Sequence, residues 1–269
     1  MKAVLLAGGK GTRLSEETML RPKPMVEIGG KPILWHIMKI YSHYGINDFV
    51  ICLGYRGYMI KEYFYNYYLH SADVSIDMQK NAVEYHNSRS EPWRVTLVDT
   101  GEETMTGGRV KRIVPHLGHD ETFCMTYGDG VADIDIADLV AFHERAKADC
   151  TMTIVRPPAR FGSVVAEHDK VIRFVEKSQI DEGFINGGFF VVSRRACDTI
   201  DGDDTVWERG PVERLTAERR LAAYRHTGFW QPMDTLREKN QLEALWESGR
   251  APWKVWDRAA GSALARRGS

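Results

Sequence analysis

In the first half of this chain, short apolar runs ending in glycine or aspartate alternate with stretches whose apolar residues recur at helical spacing. MKAVLLA (1–7) breaks into GGKG, and ILWHIMKIYSHYG (33–45) is helix-periodic, with Pro32 at its start and Gly45 as its stop. FVICL (49–53) precedes the aromatic helical stretch YMIKEYFYNYYLH (58–70), and VTLV (95–98) and FCMTY (123–127) are further strand-like runs. Strand, helix, strand in succession requires crossover connections, so the sheet is predicted to be parallel with helices on its faces. MKAVLLA is too short to span a bilayer and reads as a fully buried strand. Beyond Asp149 the rhythm loosens. TMTIV (151–155), GSVVAE (162–167), VIRFVE (171–176) and INGGFFVV (185–192) predict a smaller β-rich part laid on the same core. An amphipathic helix, LREKNQLEALWESG, follows Asp234, and an Ala-, Arg- and Gly-rich tail closes the chain. No repeat, low-complexity tract or linker divides it. One domain over 1–256 is expected, in parts of 1–135, 136–234 and 235–256, with a flexible tail at 257–269.

Composition narrows the function. The chain has 269 residues, 43% of them hydrophobic, enough for a sizeable core. Lys plus Arg (36) nearly equal Asp plus Glu (37), which argues against coating nucleic acid by bulk charge, so any charge-based recognition is local. Cys52, Cys124, Cys150 and Cys197 are widely spaced, and the first three sit in apolar runs. They read as reduced core residues of a cytoplasmic protein. The first apolar run is broken at once by Gly8-Gly9-Lys10, so neither an export leader nor a membrane anchor is expected.

The loop after the first strand carries the chemistry. Glycines let a ligand approach the backbone and bare N–H groups that cradle an anion. Gly9 and Gly11 begin a G-x-G-x-x-G pattern, but Leu14 stands where the last glycine belongs. Gly30-Lys31 is followed by Pro32, so the nucleoside-triphosphate P-loop pattern fails as well. Helix periodicity resumes only after Gly30. Between lies RPKPM (21–25), where two prolines stiffen the backbone around Lys23 and aim its charge. Residues 8–31 set Lys10, Arg13, Arg21, Lys23 and Lys31 against Glu16, Glu17 and Glu27. A cationic loop after a strand suits a polyphosphate.

LLAGGKGTRL followed by RPKPM resembles the signature of the sugar-phosphate nucleotidylyltransferases. The resemblance is strongest to their cytidylyltransferase branch acting on glucose 1-phosphate, through MVEIGGKPILWHIMK, EPWRVTLVDTGEETMTGGRVKR, TYGDGVADIDI, INGGFFV, GFWQPMDTLR and APWK. It implies an α/β, Rossmann-like fold: a mixed, mainly parallel sheet flanked by helices, with a nucleotide-binding first part and a sugar-binding β-rich part. It also implies attack by a sugar 1-phosphate oxygen on the α-phosphorus of CTP, expelling pyrophosphate, with Mg²⁺ as cofactor. Such chemistry needs charge neutralisation and alignment but no side-chain nucleophile. G-x-S-x-G and H-E-x-x-H are both absent.

By that resemblance Leu6, Ala7, Gly8 and Gly9 hold the nucleotide through backbone groups, and Lys10, Gly11, Thr12 and Arg13 flank its phosphates. Arg13 would stabilise the departing pyrophosphate, and Lys23 would lie against the α-phosphate or the sugar phosphate. Asp129, after a strand, and Asp234, before the last helix, would hold the metal, a donor set that suits Mg²⁺. Thr104, Arg109 and Gly128 would contact the nucleotide, and DTGEETMTGGR would choose the base, a cation or amide at cytosine's acceptor edge rejecting uracil. Glu176, Lys177, Asn186 and Gly187 would meet the sugar phosphate. The family's usual Glu-Lys-Pro is Glu176-Lys177-Ser178 here, which leaves the sugar open.

Each residue also has a plainer reading. Lys23 alone reads as a solvated lysine in a turn, Asp129 as a turn former, Asp234 as a helix N-cap, Arg109 as a helix-start cation and Lys177 as a surface lysine. The tyrosines of 58–68 read as core or subunit interface rather than a base-stacking platform. His116 and His119, and Asp133 with Asp135, lack the further ligands of zinc or calcium sites. Trp230, Trp253 and Trp256 read as anchors of the C-terminal segment or of a neighbouring subunit. The expected partners are CTP and a sugar 1-phosphate, with neither nucleic acid nor membrane, in a homo-oligomer. Another sugar phosphate or phosphorylated alcohol, UTP or dTTP in place of CTP, and a non-catalytic nucleotide-sugar sensor stay open as alternatives.

Overall fold

The computed structural model describes residues 1–87, 89–157, 163–167, 170–175 and 183–257, without the side chains of residues 13, 15, 16, 163–166 and 173–175. The expected fold class is what it shows. Seven strands form one sheet: β1 Ala3–Leu6, β2 Asp48–Leu53, β3 Arg94–Asp99, β4 Thr122–Tyr127, β5 Cys150–Val155, β6 Ile185–Ser193 and β7 Leu221–Arg225. Their order is β7-β5-β6-β4-β1-β2-β3. β1 runs parallel to both β2 and β4, β2 to β3 and β5 to β7, whereas β6 is antiparallel to β4 and β5. The strands of the later β-rich stretch thus extend the same sheet. A separate hairpin, Ser163–Glu167 with Lys170–Val175, accounts for two of the predicted strand runs.

β1 reads as a continuous apolar run because the sheet is covered on both faces. Ala3 and Leu5 point to one side, where they pack with Phe49, Ile51 and the helix α1 (Ile33–His43). Val4 and Leu6 point to the other, against Val50, Phe123 and the helix α2 (Thr106–Ile113). α1 starts after Pro32 as predicted and ends at His43, with Tyr44 as its C-cap and Gly45 at φ +82° beyond it. The last helix, α3 (Leu236–Glu247), buries Leu242 on the first face.

Several expectations change. The predicted 58–70 helix is two, Gly57–Tyr65 and Tyr67–Ser71, broken at Asn66. The loop before α1 is not free of helix, since it holds short turns at Thr12–Leu14, Ser15–Thr18 and Lys23–Met25. An exposed hairpin, Asp73–Asp77 with Ala82–His86, and the helices Ile136–Ala146 and Pro211–Ala217 had not been anticipated. All four cysteines are buried and free. Among the described residues no helix is long and apolar enough to cross a membrane. Residues 258–269 of the predicted tail lie outside the described residues.

Candidate active site

β1 is flanked by β2 on one side and β4 on the other, so the chain departs in opposite directions at its carboxyl end. Open α/β sheets bind ligands at such a switch point. The loops there are fastened to one another by backbone bonds: Ala7 N to Cys52 O (3.0 Å), Tyr55 N to Gly8 O (3.1 Å) and Gly128 N to Leu6 O (3.0 Å). They wall a cavity of about 490 Å³. Residues 6–12, Lys23, Thr104, Arg109, Gly128 and Asp129 all line it, so the predicted nucleotide residues come together. At its mouth Lys10 Nζ donates to Glu103 Oε1 (2.7 Å), joining the glycine loop to the proposed base-selecting segment. Of Arg13 only the backbone is described, in the turn Thr12–Leu14.

Arg109 is not a helix-start cation on the surface. It lies within α2 and is only 4% exposed. Its Nη1 donates to Leu53 O (2.9 Å), Thr100 Oγ1 (2.8 Å) and Gly101 O (2.7 Å), and its Nη2 to Gly8 O (3.1 Å) and Glu102 O (3.1 Å). One planar fork therefore ties together the loops after β1, β2 and β3. Burial lowers its pKa, but a guanidinium stays charged at neutral pH. The guanidinium also comes so close to the chain that a Cβ at Gly8 would run into it.

The plain readings of Lys23 and Asp234 fail as well. Lys23 is 7% exposed, and its Nζ donates to Asp129 Oδ2 and Asp234 Oδ1, both at 2.6 Å. Burial works against the ammonium, but the two carboxylates outweigh it and raise its pKa above the ordinary value. The N-cap of α3 is Thr235, whose hydroxyl accepts from Glu238 N while the Glu238 carboxylate accepts from Thr235 N (3.0 Å) and Asp234 N (2.8 Å). The neighbouring threonine does the capping, which leaves Asp234 to face Lys23. Asp129 is steadied through Met233 N to Asp129 O (2.8 Å), beside the paired strands Gly130–Ala132 and Trp230–Pro232.

A second cavity, about 500 Å³, opens on the other side of Tyr127 and Asp129. Asn186, Gly187, Glu208, Trp230 and Asp234 line it. Trp230 Nε1 donates to Gly187 O (2.7 Å), and Asn186 Nδ2 to Tyr127 Oη (3.4 Å). Glu176 and Lys177, expected to join them, lie outside the described residues. Glu208 is the residue that sequence reasoning missed. It accepts from Tyr127 Oη and from Thr106 Oγ1 (3.0 Å), linking the second cavity to the start of α2. Burial, then the charge of Glu208, raises the Tyr127 pKa far above the ordinary phenol value, so the phenol is the donor. The sequence signal for Glu208 is slight: an acid after the core residue Trp207, just before the Gly210-Pro211 helix start.

A larger hollow of about 910 Å³, between the 58–68 segment and the edge strand β3, shares no residue with either cavity.

Comparison with known proteins identifies the family. The description of the Nucleotidyl transferase family matches residues 2–213. The chain belongs to the nucleotidyl transferase family. It is 57% identical over 257 residues to a glucose-1-phosphate cytidylyltransferase of Salmonella typhi, covering 96% of this chain and all of that one. The identity and coverage are the same for the glucose-1-phosphate cytidylyltransferase of Salmonella typhimurium. Among solved structures, HddC from Yersinia pseudotuberculosis shares the fold, with a TM-score of 0.65 at 22% identity over 91% of this chain and 99% of its own. Among the described residues of this nucleotidyl transferase, no three or more His, Cys, Asp and Glu side chains gather to hold a metal by themselves. Asp129 and Asp234 are a pair converging on one cation position. That donor set suits a hard divalent ion whose remaining ligands are phosphate oxygens and water.

Proposed function

We propose that this protein transfers the cytidylyl group of CTP to α-D-glucose 1-phosphate, giving CDP-glucose and pyrophosphate, with Mg²⁺ as the metal. The observation that carries this reading is the 57% identity, along essentially the whole chain, to enzymes named for that reaction. The two cavities support it, because they share Tyr127 and Asp129 and so bring two substrates to one carboxylate.

The nucleotide occupies the cavity under the glycine loop, with its triphosphate on the N–H groups of residues 8–12. The sugar phosphate occupies the second cavity, its ring near Asn186 and Trp230. A phosphate oxygen of the sugar ester then attacks the α-phosphorus of CTP in line with the departing pyrophosphate. The new P–O bond forms as the bond from the α-phosphorus to the bridging oxygen breaks. Mg²⁺ on Asp129 and Asp234 would neutralise phosphate charge and help align the two groups. Lys23 supplies a further positive charge at the junction. Arg13 is assigned to the leaving pyrophosphate, and Glu176 and Lys177 to the sugar phosphate, on the resemblance alone. The four buried thiols accord with a reducing cytoplasm. Self-association is part of this reading, since Tyr58 and Tyr65 of the aromatic segment are 67% and 89% exposed.

The test is pyrophosphate release across the four ribonucleoside triphosphates and dTTP, each paired with several sugar 1-phosphates. Release with CTP and glucose 1-phosphate above all other pairs is expected. A preference for another nucleotide or sugar would overturn that part of the proposal, and no release from any pair would overturn the whole.

A further inference from the structure

Lys23 Nζ sits at the point where Asp129 Oδ2 and Asp234 Oδ1 converge, 2.6 Å from each. A cation bridging these same two oxygens must stand there. The main chain beneath each carboxylate is held in place, that of Asp129 by Met233 N and that of Asp234 by Glu238 at the capped start of α3. Apart from its bonds to the two carboxylates, the lysine is tethered at its base. Pro22 and Pro24 fix its backbone, and the glycine loop packs on its stem, where a Cβ at Gly11 would lie 3.0 Å from Lys23 Cβ. The long side chain beyond is the part free to swing.

Two cations cannot share this position. A divalent ion must displace the ammonium, and an ammonium this deeply buried is costly to leave without a counter-charge. Free metal brings none. A metal–triphosphate complex brings both the incoming cation and the anion to which the displaced ammonium can turn, because Lys23 also lines the nucleotide cavity.

We infer that Lys23 is the resident counter-ion of the metal site, so that the carboxylate pair is loaded by the metal–nucleoside triphosphate complex and not by free metal. The inference rests on the proposed reading that the pair takes a divalent ion and the adjoining cavity the nucleotide. Because the ammonium holds the carboxylates, the apparent affinity for free metal is the intrinsic affinity multiplied by the fraction of time they are vacant.

The experiment titrates Mn²⁺ into the full-length protein and follows it by electron paramagnetic resonance, first without nucleotide and then with the non-hydrolysable α,β-methylene analogue of CTP. Wild type and Lys23→Met are compared. Without nucleotide, Lys23→Met should bind Mn²⁺ at least about tenfold more tightly than wild type, and the analogue should produce a ternary Mn²⁺ signal in wild type. Equal Mn²⁺ affinity in the two nucleotide-free proteins, with the ternary signal present, overturns the inference and leaves the metal reading intact. No bound Mn²⁺ in either protein under any condition overturns both. If Lys23→Met does not fold, wild type decides alone. Weak Mn²⁺ binding that the analogue tightens supports the inference, and tight binding that it does not change refutes it.

Discussion

Replacing Arg109 by methionine keeps much of its length and removes the fork that joins three loops. The structure allows the cost to be worked out. Leu53 O keeps two donors, Thr100 N and Thr100 Oγ1, and Gly8 O keeps Tyr55 N. Gly101 O and Glu102 O lose their only donor among the described residues. An unsatisfied buried acceptor costs about 1–3 kcal/mol, and both carbonyls are only partly buried, so about 1 kcal/mol each is the appropriate scale. Losing charge-assisted bonds to the other acceptors adds roughly 1–3 kcal/mol, offset in part because a buried guanidinium no longer has to be desolvated. The net is about 2–4 kcal/mol, or a fall in Tm of roughly 4–8 °C for a domain of this size. KM for CTP should rise at the same time, since Gly8 and residues 101–104 lose their common tether. Arg109→Lys should recover less than half of either loss, because one ammonium cannot reach three loops in a plane. Differential scanning calorimetry and initial-rate kinetics are the assays. A Tm within about 1 °C of wild type together with an unchanged KM would refute the claim that this guanidinium holds the loops.

Three further substitutions probe other parts of the account. Burial depresses the His36 pKa to about 4, and its Nδ1 accepts from Trp253 Nε1 (3.3 Å) while Nε2 donates to Ile28 O (2.8 Å), which defines the neutral tautomer. The unfolded chain takes up this proton at higher pH than the folded one, so the contribution is complete above about 6.5 and is lost as pH falls towards 4. At pH 5 the loss is about 2 kcal/mol; urea unfolding at pH 7 and 5 should show it in wild type and not in His36→Gln, and equal pH dependence in both would exclude it. Glu208→Ala removes the acceptor of Tyr127 and Thr106 and should raise KM for the sugar phosphate about 5–30-fold while CTP KM changes far less; equal effects on both would deny its place in the second cavity. In Gly108→Ala the new Cβ would lie 2.5 Å from Asp203 O, displacing the 203–208 segment that ends in Glu208, so sugar-phosphate KM should rise here too, and unchanged kinetics would count against that link.

The parallel half of the sheet was legible because its strands are covered on both faces, leaving AVLL, DFVICL and TFCMTY as nearly unbroken apolar runs. The hairpin DVSID and AVEYH is largely exposed and has no such run, so nothing in its pattern marked it. TGGRVKRI is a poor helix by composition. It forms because Val110 and Ile113 are buried and because Gly107 and Gly108 lie close against residues 203–205. Helix Ile136–Ala146 did carry a readable start, the Asp135 side chain accepting from Asp138 N (2.9 Å), three residues on. At the site, the two prolines showed that Lys23 was aimed. Its targets were out of reach of sequence patterning, since Asp129 and Asp234 lie 106 and 211 residues away. Arg109 was named by resemblance as a nucleotide contact, but its role as a tether was hidden for a different reason: four of its five acceptors are backbone carbonyls, which have no sequence signature.

The central claim is that the sugar phosphate itself attacks CTP, with the protein supplying alignment and charge and no covalent relay. The stereochemistry at the α-phosphorus tests this most directly. CTP carrying a single sulfur of known configuration on that phosphorus is turned over with glucose 1-phosphate, and the product is assigned by phosphorus NMR. One direct displacement predicts inverted configuration. Retained configuration would mean two displacements through a covalent enzyme intermediate and would contradict the account.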